Sequence, residues 1–189
     1  APGEGPNLSV AGTTGSTSQN TINSANTVSQ QSAVVTATGV TPIGATVSGT
    51  HAQVREYNKA VSTTDKVGRH SHHIIQEAAV IDFPGYNSFQ APTVSLTYEQ
   101  HARATAFQAG IPKSSGKTLG DEYNFGVGAL VAYGAFTPQQ AKSLVDQQGK
   151  GYFGGKLGFG PNTPTNTPRG EKRDPGKPNS AEPGQSPLE

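Results

Sequence analysis

The chain has no cysteine, no methionine and no tryptophan, and only 7% of its 189 residues are aromatic. Without cysteine there is no disulfide framework and no thiolate zinc site, the His/Cys/Cys deaminase pattern included. Any metal must therefore be held by nitrogen or oxygen. Hydrophobic residues make up 32% and charged residues 14%, against 24 glycines and 14 prolines, a composition too polar for the whole length to pack as one globule. No apolar run approaches the roughly 20 residues that span a bilayer. The first residues show neither a basic n-region nor an apolar h-region, so export would have to be directed from elsewhere. The net charge is +1, and residues 50–160 hold ten Lys and Arg against eight Asp and Glu, so charge gives only faint support for a nucleic-acid partner.

Composition divides the chain into three. Residues 1–48 are rich in Ser, Thr, Asn and Gly, with Glu4 as their one charge and no aromatic residue. Such a segment buries too little apolar surface to offset its ordering entropy and reads as a low-complexity linker, with a little extended structure around Val34 to Thr38. Residues 161–189, rich in Pro, Gly, Asn, Lys and Glu, read as a disordered tail. Every Phe, every Tyr and all five His lie between, in residues 49–160, which are expected to be the ordered domain. No internal repeat is visible.

Local signals inside that core are readable. Thr50 and Gln53 form a capping-box pair, and Val54, Tyr57 and Val61 recur on one face, predicting a helix over about 51–63 that ends before Gly68. His70 to Ile75 and Thr93 to Leu96 read as two extended runs, with Pro84-Gly85 and Pro92 breaking the chain between them. Thr97 and Gln100 form a second capping box, predicting a helix from Tyr98 to about Ala109 with Gly110 as its C′ residue and Pro112 beyond. His101 falls in its first turn. Asp121 to Tyr133 places Tyr123, Val127, Leu130 and Val131 on one helical face, although Gly126 and Gly128 each cost about 1 kcal/mol relative to Ala. Thr137-Pro138-Gln139-Gln140 opens a last helix that should bury Ala141, Leu144 and Val145 and stop at Gly149.

The strongest chemical signal is histidine. Four of the five fall within 32 residues: His70, His72 and His73 in one run and His101 beyond, with Asn87 midway. A pair of histidines, then an asparagine, then a histidine can supply a general base, an orienting amide and a metal clamp. Simple pleat geometry puts His70 and His72 on one face of a strand and His73 on the other, which favours His70 with His72 as a ligand pair. Each imidazole alone also reads as a solvated or hydrogen-bonded structural residue, His51 as an ordinary N-terminal helix residue and Asn87 as a turn residue. The stretch Gly110 to Thr118 looks like a phosphate-binding P-loop, but five residues separate its glycines where that motif has four, and a helix precedes it. Lys113 and Lys117 are better read as loop cations. Gly149 to Gly160, with Lys150 and Lys156, could press its backbone against phosphates but reads more simply as a flexible exit.

Residues 69–108, RHSHHIIQEAAVIDFPGYNSFQAPTVSLTYEQHARATAFQ, resemble the SHH-signature toxins of the HNH/endonuclease VII nuclease superfamily, the signature being Ser71-His72-His73. The resemblance extends through residues 121–147. It implies an α+β, mostly helical fold containing a ββα-metal (HNH-like) finger with additional packing helices. It also implies a metal-dependent endonuclease that hydrolyses DNA more than RNA, leaving a 5′-phosphate and a 3′-hydroxyl. On that pattern His72 is a metal ligand, His101 the second ligand and His73 the general base, while Asn87 holds the loop or steers the His73 ring. Two departures stand out. The interval from Asn87 to His101 is longer than the HNH pattern usually has, and Thr105 stands where some relatives carry a third ligand. Coordination would then rest on two imidazoles plus water and substrate, with Mg²⁺, Mn²⁺, Zn²⁺ or Ni²⁺ as the divalent ion. Arg69, Lys113 and Lys117 are candidate phosphate contacts. The resemblance further implies a C-terminal warhead on a larger secreted carrier, a dedicated immunity protein, no membrane partner, and action in the target-cell cytoplasm. A housekeeping nuclease with the same finger and a non-catalytic histidine metal-binding module of a secreted protein are the alternatives.

Overall fold

The computed structural model describes residues 30–65, 68–112, 118–134 and 136–166. The chain divides into two units, Ala1–Ala33 and Val34–Glu189. Of the first, only residues 30–33 are described, and they are helical. The second is α+β, mostly helical with a small antiparallel sheet. Strands β1 (Thr41–Ile43) and β2 (Thr46–Thr50) form a hairpin, and the sheet order is β1-β2-β4-β3. Central β4 (Pro92–Thr97) separates β2 from β3 (Arg69–His73), and every neighbour is antiparallel.

Two expectations about the N-terminal flank give way here. Residues 34–38 are helical and not extended, and the boundary expected between 48 and 49 falls inside β2. The averaged composition concealed Val34, Val35, Val40, Ile43 and Val47. Val40 and Val47 join Val54, Tyr57 and Val61 in a small buried cluster on which Val34 and Val35 pack. Burying each such side chain is worth about 1.5–3 kcal/mol, enough to tie this stretch to the sheet. At the other end, Leu119 N–H donates to the Thr163 carbonyl (2.8 Å) and Asn166 N–H to the Ala79 carbonyl (2.8 Å), so ordered structure runs past residue 160. The remainder of the expected linker, residues 1–29, and of the expected tail, residues 167–189, lies outside the described residues.

Helix α1 (His51–Asp65) starts as its sequence dictates, with the Gln53 N–H donating to Thr50 Oγ1 (3.3 Å) and the Thr50 N–H to Gln53 Oε1 (2.9 Å). Its Val54, Tyr57 and Val61 stripe covers one face of the sheet, where Ser95 Oγ of β4 donates to Asn58 Oδ1 at 2.5 Å. On the other face Val94 and Leu96 enter the larger core. Both faces of β4 are therefore covered, so its polar Thr93 and Ser95 are buried as fully as Val94 and Leu96.

Helix α3 (Tyr98–Gly110) follows β4 without a loop, its Thr97/Gln100 capping box fully formed. Gly110 is its last helical residue and not a left-handed C′ residue as expected; the helix ends because Ile111 turns extended ahead of Pro112. A short helix α2 (Glu77–Val80) and a 3₁₀ turn (Ser88–Gln90) punctuate the long connection from β3 to β4. Helix α4 (Leu119–Tyr133) buries Tyr123 and Leu130, while Val131, expected on the same stripe, sits at its edge and is 38% exposed. Gly126 faces the chain just after β3: a Cβ there would lie 2.5 Å from the Ile74 carbonyl oxygen, so the residue that weakens the isolated helix lets it approach the sheet.

Helix α5 (Pro138–Leu144) buries Ala141 and Leu144 as expected but does not stop at Gly149. It continues through π-helical turns Val145–Gly149 and Gly151–Lys156, and Tyr152 and Phe153, expected in a flexible exit, are buried in the main core. The apolar surface of these two rings outweighs the helix-breaking tendency of the surrounding glycines. No helix among the described residues is long and apolar enough to cross a membrane.

Candidate active site

Strand β3 holds Ser71, His72 and His73 in unbroken register opposite Ser95, Val94 and Thr93. No bulge re-aims a side chain, so the pleat sends His72 with Val94 toward α3 and His73 with Thr93 toward α1. The histidines are thus shared between two faces of one strand.

On the α3 face, His72 is 4% exposed and its ring lies 5.4 Å from that of His101, edge-on at 84°. His101 reaches it from the fourth residue of α3, and the exposed His70 ring lies 5.1 Å from His101 and 5.2 Å from Tyr98. His70, His72 and His101, the members of both ligand pairs weighed from the sequence, therefore lie together. Burial, followed by the neighbouring His101 and His73 imidazoles, pushes the His72 pKa down to about 3. Burial, then His70 and His73, also lowers that of His101. His72 is consequently neutral at physiological pH. Its Nε2 is buried without a hydrogen-bond partner, an arrangement that costs about 1–3 kcal/mol and calls for an explanation.

On the α1 face, His73 Nε2 lies 3.2 Å from the Ser88 carbonyl oxygen. A carbonyl can only accept, so Nε2 carries the proton and, in the neutral ring, Nδ1 is the basic nitrogen. The His73 ring stacks on that of His51, with centroids 4.6 Å apart and planes 12° from parallel. His51 is the first residue of α1, and its N–H donates to the Ala91 carbonyl (3.0 Å). Burial first, then His73 and Arg55, lowers its pKa to about 4. Phe89, 40% exposed, lies 6.0 Å from His51, with the Arg55 guanidinium 5.8 Å over its ring.

The Ser88 carbonyl is set by the turn that bears it. Asn87 Oδ1 accepts from the Phe89 N–H (2.9 Å), capping the 3₁₀ turn. The Tyr152 hydroxyl accepts from the Asn87 N–H (3.0 Å) and donates to the Asn87 carbonyl (3.1 Å). Lys156 Nζ donates to Gln90 Oε1 (2.7 Å) and sits 5.5 Å over the Tyr152 ring. The Asn87 amide thus holds its own turn, and it is the next residue's carbonyl that meets His73.

Arg69 stands opposite Thr97 at the other end of β3 from His73, and Thr105 is exposed on α3. Lys113 and Lys117, with most of the P-loop-like stretch, lie outside the described residues. Among the described residues no group of three or more His, Cys, Asp or Glu is placed to hold a metal ion. What exists is a pair of imidazoles, His72 and His101, with one ring nitrogen buried and unpartnered. That donor set fits a partial nitrogen site whose other positions come from water and substrate, and does not fit a closed structural site.

Two participants escaped the sequence reading. His51 was expected to be a plain helix-terminal residue, and only the three-dimensional pairing of β2 with β4 brings it to His73. Tyr152 was hidden in a glycine-rich stretch, where the adjacent aromatics Tyr152 and Phe153 were the available sign of a buried return.

Residues 66–153 match the family model described as HNH/Endo VII superfamily toxin with a SHH signature. No curated protein and no solved structure matches the chain.

Proposed function

Since residues 66–153 belong to the HNH/Endo VII superfamily toxins with a SHH signature, we propose that this chain carries a metal-dependent endonuclease that hydrolyses phosphodiester bonds of DNA. The observation that carries the reading is the unit β3, loop, β4, α3. That order of elements, with the His72 ring on β3 against the His101 ring on α3 and His73 at the end of β3, supports a ββα-metal finger.

In this reading His72 and His101 hold a divalent ion. Both rings are driven toward the neutral, ligating form, and the buried Nε2 of His72 gains the partner it lacks. Bound there, the ion would supply Lewis-acid stabilisation of the phosphate and of the departing 3′ oxygen. His73 takes a proton from the attacking water at Nδ1, its Nε2–H being engaged by the Ser88 carbonyl. Water adds to phosphorus as the P–O3′ bond breaks and O3′ takes up a proton from solvent, leaving a 5′-phosphate and a 3′-hydroxyl. Asn87 and Tyr152 fix the turn that presents that carbonyl, and Arg69, Lys113 and Lys117 are candidate phosphate contacts. The family's toxin character supports an interbacterial effector, carried on a larger secreted protein into the target-cell cytoplasm and restrained by a cognate immunity protein.

Plasmid degradation with and without chelator tests the reading. Cleavage should stop in chelator and return with Mg²⁺ or Mn²⁺; undiminished activity in excess chelator would sink the metal mechanism, and intact DNA under all conditions would favour a metal-binding module. His73→Ala should abolish cleavage while calorimetry shows metal affinity retained, whereas His101→Ala should weaken metal binding itself. His70→Ala should keep most activity, and if it alone removes the metal, His70 and His72 are the ligand pair.

A further inference from the structure

His51 lies outside the matched residues 66–153, yet its ring stacks in parallel on that of His73 at 4.6 Å and 12°. The contact is built and not incidental. His51 is fixed by the Thr50/Gln53 capping box immediately before it and by its own N–H bond to Ala91, the residue that ends the turn bearing Ser88. Helix α1 and that turn are therefore tied together at the point where they flank His73. A hydrogen bond at one edge of an imidazole does not by itself fix the plane of the ring. A parallel ring 4.6 Å away removes that freedom, because turning the plane would drive one ring edge into the other.

We propose that His51 is a positioning residue for His73, holding the plane of the base by ring stacking so that Nδ1 keeps one direction while Nε2–H stays on the Ser88 carbonyl. The inference rests on His73 being the general base. It concerns the flat aromatic surface of His51 and gives its ring nitrogens no part in the reaction. Ring freedom at a general base costs rate and not substrate affinity, because productive geometry is needed only as the proton moves.

Two substitutions of similar bulk separate stacking from space-filling. His51→Phe keeps a flat ring against His73 and should retain kcat within about twofold, while His51→Leu fills the volume without a planar face and should lower kcat about tenfold at unchanged KM. Wild-type kcat in His51→Leu overturns the proposal, and so does an equal loss in His51→Phe, which would assign the role to the imidazole nitrogens. A second readout needs no cleavage. In the metal-free, full-length chain, ¹⁵N-detected NMR should show His73 in the Nε2–H tautomer with a restricted ring in the wild type and in His51→Phe. In His51→Leu the same ring should sample both tautomers, and an unchanged His73 signal there refutes the positioning role. An inactive wild type with these spectra intact would instead reject the nuclease reading while leaving the stack established.

Discussion

Gly126→Ala asks whether the approach of α4 to the sheet governs the site. In an exposed helix interior, replacing glycine by alanine gains about 1 kcal/mol through reduced backbone entropy. At Gly126 the new methyl would stand 2.5 Å from the Ile74 carbonyl oxygen, about 1 Å inside ordinary contact, and its opponent is backbone that cannot rotate away. Overpacking of this kind costs about 1–3 kcal/mol beyond any propensity gain. The balance should be a loss of about 1–3 kcal/mol, lowering the thermal midpoint by roughly 3–12 °C for an ordered region of this size. Ile74 directly follows His73, so the strain falls on the end of β3 and cleavage should drop as well. Gly151→Ala is the control, because nothing lies within 4 Å of a Cβ there, and it should be neutral or stabilising. Urea and thermal denaturation of both variants decide the matter. A Gly126→Ala chain as stable as the wild type, with undiminished cleavage, would refute the close approach of α4 to β3.

The His72 pKa, lowered to about 3, gives the metal-free chain a pH dependence of stability. The unfolded imidazole takes up a proton near 6.5 and the folded one does not, so stability is full above that value and falls by at most about 1.4 kcal/mol per pH unit as pH drops toward 3. His51, lowered to about 4 but half-exposed, acts in the same direction more weakly. Urea midpoints in chelator should decline between pH 7 and pH 5, before ordinary carboxylates titrate, and a flat or rising profile would contradict the burial of neutral His72. Tyr152→Phe removes both hydroxyl bonds to the Asn87 backbone and should cost about 1–2 kcal/mol while lowering cleavage by more than that loss explains. Lost stability with wild-type kcat would show that the turn does not orient His73.

Local chemistry made much of the architecture legible. The capping boxes at Thr97 and Thr137 and the Thr50/Gln53 pair mark three helix starts because each cap is a four-residue pattern whose hydrogen bonds are complete within it. Strand β4 was readable from Thr93 to Leu96 because β-branched and apolar residues are concentrated there. What failed depended on distant partners. Val40 and Val47 are isolated valines in a polar stretch until Val54 and Tyr57 of α1 cover them. Tyr152 and Phe153 follow two glycines that locally predict an exit, and only the core they enter turns the chain back.

The site divides along the same line. That His72 and His101 could meet was implied by the resemblance, and that His70 and His72 share a face by the pleat, so both readings rest on pattern alone. Which groups orient His73 was beyond any pattern, because the answer joins four separate segments: the N-terminus of α1, the end of β3, the 3₁₀ turn at Ser88 and the π-helical turn at Tyr152. The proposed ligand pair, His72 and His101, joins β3 to α3 across the intervening α2 and β4. The proposed base, His73, meets a turn anchored by Tyr152 from 65 residues away, so both parts of the site depend on the tertiary fold.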